Sequence, residues 1–276
     1  MLNSSSPIRP TDPHLTPLTV STGFLTDTGP TRTSNEDSVA VVSPGEFKAL
    51  LGKGILALVA DGMGGHEGGE VASSIAASRV PEIYYGADTN PQEALLAGFE
   101  AANHDIFEVA RKNGKLTGMG TTCTAVAIVN GMAYLAHAGD SRAYLLRGGQ
   151  IYCMTEDHSA TMALVKQGLL TMAQAKYHED RNVILRAMGT HPQLEVDKWS
   201  TPFPLRPGDR MLLCSDGLYE TISDDELNQI ATSHEPQEAC DELIRLAIER
   251  SVSDNSTVVI MHLKGGGSGD PEAERS

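Results

Sequence analysis

Cysteine is scarce in this chain. The four present, at 123, 153, 214 and 240, form no Cys-x-x-Cys pair and lie far apart, so zinc-ribbon and disulfide-framework readings fail and reduced thiols are expected. Long apolar runs are also missing, none approaching the roughly 18 residues that cross a bilayer. The opening stretch, MLNSSSPIRPTDPHLTP, lacks the apolar centre of a signal peptide, and a cytoplasmic protein is expected. Positive charge is in short supply, with 21 Lys and Arg against 36 Asp and Glu and a formal net charge of -15. That balance argues against nucleic acid, whose binding needs a basic face that releases counterions.

What is present is ordinary for a globular protein: 276 residues, 40% hydrophobic and 21% charged. The length can bury a full core in one large domain or two small ones. The acidic excess fits a protein that gathers carboxylates around divalent cations.

Residues 1–17 read as a flexible tail rich in Ser, Thr and Pro, and GGGSGDPEAERS at the other end reads as a second tail, 264–276. Between them, strands are expected at Leu18–Leu25, Ser38–Val42 and Gly54–Ala60. The last of these ends on Asp61-Gly62 and opens into a loop with Gly64, Gly65, Gly68 and Gly69. Apolar stripes at helical spacing predict a helix from Glu70 and another over Pro91–Lys112, stopped by Asn113-Gly114. Asn130-Gly131 between Thr121–Val129 and Met132–Ala138 marks a type I′ hairpin, and Gly148-Gly149 a second one joining Arg142–Leu146 to Ile151–Met154. Residues 155–190 are polar and read as an inserted flap. Further strands are expected at Trp199–Leu205, Arg210–Cys214 and Ser256–Leu263, with helices at Asp224–Ala231 and Pro236–Arg250. Blocks of hairpins and helices predict an α+β layered domain over 18–263, not a doubly wound parallel sheet.

Five segments hand over an acid beside a small or polar residue: Asn35-Glu36-Asp37, Asp61-Gly62, Gly139-Asp140-Ser141-Arg142, Ser215-Asp216-Gly217 and Ser253-Asp254-Asn255. Bare carboxylates gathered at one sheet edge repel one another, and hard oxygen ligands suit Mg²⁺ or Mn²⁺. Taken singly, each acid is more often a turn former or helix cap.

RTSNED (32–37), DGMGGHEGGEVAS (61–73), GTT (120–122), GDSRAYL (139–145), LLCSDGLYE (212–220) and SDNST (253–257) stand in the order found in the metal-dependent Ser/Thr protein phosphatases of the PPM, or type-2C, family. The chain resembles the bacterial members of that family over roughly residues 18 to 263. The resemblance implies a central antiparallel β-sandwich flanked by helix pairs, four layers in αββα order, with two metals at one end. Carried over, Asp61 bridges both cations, the Gly62 carbonyl and the acids Glu36 and Asp37 serve the second, and Asp216 and Asp254 hold the first. Arg32 grips the phosphate with its bidentate fork. A third metal, present in some relatives, uses the equivalents of Asp140 and Asp216, with Glu220 a further candidate. The implied activity is hydrolysis of phosphoserine and phosphothreonine in proteins by a metal-activated water attacking phosphorus, without a phosphoenzyme. The implied partners are phosphorylated substrates of a Ser/Thr kinase, or the kinase itself, met by a monomer. Some relatives have a His directly after the Asp-Gly; here it is Met63, so the general acid is unassigned and His66 is not given the role.

A dinucleotide fingerprint at 54–73 is weighed and set aside, because an acid opens the loop and Glu67 stands where GxGxxG needs glycine. A metalloprotease helix fails because residue 70 is Glu, not His. Two further functional readings are a silent relative that binds a phosphorylated partner, and a phosphatase of small phosphoesters. Arg142 is expected to pair structurally with a nearby acid, and Gly120-Thr121-Thr122 to serve strand geometry. His158 is expected on the surface or flap, and Met154, Met162 and Met172 in ordinary apolar packing.

Overall fold

The computed structural model of the chain describes residues 18–43, 52–64 and 68–265. The expected tail at 1–17 and most of the tail at 264–276 lie outside the described residues, as does His66. Two antiparallel sheets form the centre. One has the order β1 (Thr19–Asp27), β11 (Ser256–Lys264), β10 (Arg210–Cys214), β7 (Arg142–Arg147), β8 (Gln150–Cys153). The other runs β2 (Asp37–Val42), β3 (Ile55–Met63), β5 (Cys123–Val129), β6 (Met132–Ala138), β9 (Phe203–Pro204), with the short β4 (Gly120–Thr121) beside the end of β3.

Strand alternation explains the layers. Because successive side chains point to opposite faces, Leu56, Leu58 and Ala60 pack outward under α1 (Gly68–Gly86) and α2 (Pro91–Lys112). Ile55, Ala57 and Val59 point inward and meet Met211, Leu213, Val259 and Met261 of the facing sheet. On the far side, Leu212, Cys214, Val258 and Ile260 turn toward α5 (Asp224–Ser233) and α6 (Pro236–Glu249). The order is therefore helix pair, sheet, sheet, helix pair, as the resemblance implies. Strands buried on both faces need apolar residues at every position, which is why 55–60 and 258–261 read as continuous runs.

Both hairpins form where expected. Asn130 and Gly131 take φ of 51° and 76°, and Gly148 and Gly149 take 59° and 78°, as tight two-residue turns require. The helix over Pro91–Lys112 has the expected bounds, capped by Asn90. Three expectations change. The third strand continues through Asp61 and Gly62 to Met63, because Asp61 pairs with Asp37 and Gly62 with Thr121. The helix expected from Glu70 starts at Gly68. The strand expected over Trp199–Leu205 shrinks to Phe203–Pro204, in a stretch where Pro202, Pro204 and Pro207 supply no backbone donor.

The stretch 155–190 carries α3 (Ala160–Lys166) and α4 (Met172–Ala175) and returns to the body where Met188 pairs with Thr121. It is rich in exposed apolar side chains. Met172 is 58% exposed and Tyr177 81%, so the packing role expected for Met172 is not the one it has.

Candidate metal and phosphate site

Strand register gathers the five acidic segments. Arg142, at the start of β7, pairs with Cys214, at the end of β10, and Cys214 pairs with Val258 near the start of β11. Asp140, Asp216 and Asp254 therefore leave the first sheet at one edge. Asp37 opens β2 and faces Asp61 near the end of β3 in the second sheet. The two sheets stack, so the edges coincide.

Asp61 is held by its backbone. Its N–H donates to Thr122 Oγ1 at 2.9 Å, and its carbonyl accepts from Thr121 Oγ1 at 2.9 Å and Thr122 N at 2.8 Å. Gly120-Thr121-Thr122 thus does more than shape a strand. A Cβ on Gly62 would overlap the Gly69 carbonyl oxygen, and one on Gly69 would sit 2.5 Å from Glu36 Oε2. The glycines let the start of α1 close over Asp61 and Glu36.

Asn255 assembles the rim. It accepts from Glu36 N at 2.8 Å and donates to the carbonyls of Thr28 and Ser34 at 2.9 and 3.0 Å. Replacing it with Ala leaves three partly buried backbone groups without their partner. Asn255→Ala should cost about 2 to 4 kcal/mol of stability, read from urea unfolding; a loss under about 0.5 kcal/mol would refute this role. Asp37 is buried, and its Oδ2 accepts from Ser215 Oγ and Thr257 Oγ1, each at 2.7 Å. Arg32, half-exposed, pairs with Asp254 at 2.7 Å. Among the described residues no three of the acids close on one point as a ready-made cage.

The electrostatics are those of a crowd of acids. Burial, then repulsion from Asp37, Asp216, Asp140 and Asp254, pushes the Asp61 carboxyl well above the usual range. Burial and Asp140 do the same to Asp216. Burial raises Asp140 to about 7, with Asp157 adding to it, and raises Asp37 to about 6 despite its two hydroxyl donors. Glu36 is raised by burial and lowered by Arg32. Asp140 Oδ1 and Asp216 Oδ1 are buried with no hydrogen-bond partner. Oxygens left this way, on acids that repel, fit one class of occupant: a hard divalent cation.

The chain and its fold resemble those of known proteins. The family model described as Protein phosphatase 2C matches residues 31–251. The chain belongs to the protein phosphatase 2C family. It is 39% identical over 238 residues to the serine/threonine protein phosphatase PstP of Mycobacterium tuberculosis, covering 85% of this chain and 43% of that protein. The chain thus spans less than half the length of that relative. It is 32% identical over 244 residues to the serine/threonine phosphatase stp of Listeria monocytogenes, covering 86% of this chain and 94% of the other. The solved catalytic domain of PstP, in complex with 2 manganese ions, superposes with a TM-score of 0.77 at 34% identity, over 90% of this chain and 99% of that one.

In this type-2C domain, several site-building residues carry no signal of their own in the sequence. Ser215, Thr257 and Asn255 are common residue types, and only the fold makes them partners of Asp37 and Glu36. Of the two places expected for His158, surface or flap, it lies in the 155–190 flap stretch but is buried, 8% exposed. Arg142 pairs with Asp157 through two bonds of 2.9 and 2.7 Å, as expected of a structural arginine. Glu220 is exposed and 3.8 Å from Arg181 of the flap. It lines a cleft of about 440 Å³ together with Asp140, Tyr219 and Met162.

Proposed function

We propose that this protein is a metal-dependent phosphatase that hydrolyses phosphoserine and phosphothreonine in proteins. The observation that carries the reading is the pair of buried, partnerless carboxylate oxygens on Asp140 and Asp216, set in a cluster of acids that raise one another's pKa despite Arg32 and Arg142 nearby. Asp61, Asp216 and Asp254, with Glu36, Asp37 and the Gly62 carbonyl, would hold two Mn²⁺ or Mg²⁺ ions. Asp140 would serve a third. Manganese in the PstP catalytic domain supports the choice of ion. When bound, the cations supply charge neutralisation and a water acidic enough to attack phosphorus near neutral pH.

The chain's own contribution is orientation. Thr121 and Thr122 fix the backbone of Asp61 from both sides, so its carboxyl does not follow the substrate. Asp37, tied to Ser215 and Thr257, holds Asp61 from across the strand pair. Arg32 stands at the rim, and its planar fork matches a phosphate better than it matches the single oxygen of Asp254 that it now touches. Met63 has no proton to give, so the leaving alkoxide is left without an assigned acid.

A phosphothreonine peptide and a small phosphoester, compared with Mn²⁺ present, test the reading. The peptide should be the better substrate by kcat/KM. Preference for the small ester would make the protein a metabolite phosphatase, and tight peptide binding without turnover would make it a silent relative. We place 18–263 in one phosphatase domain with 155–190 as its flap, acting in the cytoplasm as a monomer on proteins phosphorylated by a Ser/Thr kinase. No described helix is long and apolar enough to cross a membrane, which supports that location; membrane-bound protein after cell fractionation, or a dimer by light scattering, would refute those parts.

A further inference from the structure

His158 belongs to none of the groups described above, yet it is tied to the turn that carries Asp140. Its ring Nδ1 is 3.0 Å from the Gly139 amide nitrogen, and its own N–H donates to the Gly139 carbonyl at 2.8 Å. A backbone N–H can only donate, so Nδ1 is the bare nitrogen and the ring proton sits on Nε2. Nε2 lies 3.2 Å from Asp197 Oδ2, the acceptor that this tautomer needs. Arg186 Nη1, 3.0 Å from Nε2, donates one of its two hydrogens to Asp197 Oδ1 at 2.6 Å. The chain of contacts therefore runs Arg186, Asp197, His158, Gly139.

Gly139 needs such a hold. Its φ is 115°, and a Cβ there would strike the Thr122 side chain at 2.5 Å, so neither a side chain nor a regular strand conformation fixes it. The next residue, Asp140, is 5% exposed, and its Oδ1 has no partner that would fix the carboxyl. The placement of that carboxyl is inherited from the backbone before it. The same histidine accepts from Leu185 N at 2.7 Å through its carbonyl, which ties the turn to the returning end of the 155–190 stretch.

We propose that His158, kept in its Nε2–H tautomer by Asp197, is a positioning residue that clamps Gly139 and thereby sets the Asp140 carboxyl in the site. The proposal rests on the reading of Asp140 as a site acid, and the experiment separates the two. Amide hydrogen exchange at Gly139 is measured in the metal-free full chain, and kcat and KM are measured with Mn²⁺ and a phosphothreonine peptide. His158→Ala should speed exchange at Gly139 by about five- to tenfold, the loss of one buried hydrogen bond. It should lower kcat about tenfold with KM changed less than about twofold, since the group acts on an acid of the site and not on the peptide. His158→Asn places Oδ1 near the position of Nδ1 and should restore both readings to within about threefold of the parent. Asp197→Ala, at the exposed rim, should shift exchange in the same direction as His158→Ala and carries the test if that variant does not fold. Unchanged exchange at Gly139 in both variants, or an Asn variant no better than Ala, overturns the clamp. Full activity in Asp140→Ala with faster exchange in His158→Ala would overturn the assignment of Asp140 and leave the clamp standing.

Discussion

Asp61→Asn is expected to lower turnover of a phosphothreonine peptide by on the order of 10³-fold or more, while the metal-free protein melts at the same temperature or higher. The two effects have one cause. The Asp61 carboxyl is driven up by burial and by four neighbouring acids, so its charge opposes folding unless a cation is present. An amide of the same shape removes that charge and keeps the backbone bonds to Thr121 and Thr122, which involve only the Asp61 amide and carbonyl. A site built this way trades stability for function. Turnover within about tenfold of the parent, or a metal-free melt lowered by several degrees, would sink the assignment of Asp61.

Removing metal with a chelator should bring activity to background, and added Mn²⁺ should restore it. The stability of the stripped protein should then depend on pH in a stated direction. Asp37 and Asp140 have folded-state values of about 6 and about 7, above their ordinary 3.8, and Asp61 and Asp216 are raised as well. For such groups the folded form binds more protons than the unfolded one. Their contribution is fully present below the unfolded value and is lost as pH rises through the folded one. His137 works in the opposite sense: burial lowers it from 6.5 to about 4, so its share is lost as pH falls below 6.5. Between pH 6.5 and 8 the acids dominate, and the metal-free protein should melt lower at pH 8. Mn²⁺ at about 100 times its dissociation constant adds about 2.7 kcal/mol, or about 5 to 10 °C for a chain of this size. At one fixed Mn²⁺ concentration the shift should be larger at pH 8 than at 6.5, because deprotonated carboxylates bind the cation more tightly. Equal shifts at both pH values, or activity that survives the chelator, would contradict the acid cluster as a cation site.

Local rules were enough for much of this architecture. Asn130-Gly131 and Gly148-Gly149 form turns because few other residues accept those backbone angles. Pro91–Lys112 carries its own cap, stripe and stop. The limit shows at Asp61, where a glycine after an acid reads as the end of a strand. The pairing of Asp61 with Asp37 and Gly62 with Thr121 carries the strand on, because hydrogen bonds from two neighbours outweigh the local preference of Gly. It shows again at His158, a polar residue in a polar stretch that reads as exposed. Contacts with Gly139 and Asp197, 19 and 39 positions away, bury it.

By itself, the sequence determined which acids are candidates and in what order they lie along the chain, because each sits beside a small or polar residue in a segment that matches the family's motif order. Only the tertiary structure decided how they meet. Antiparallel register brings Asp140, Asp216 and Asp254 to one edge, and sheet stacking sets Asp37 and Asp61 against them. It also recruited Ser215, Thr257, Asn255 and His158, whose roles depend on partners far along the chain that no local pattern encodes.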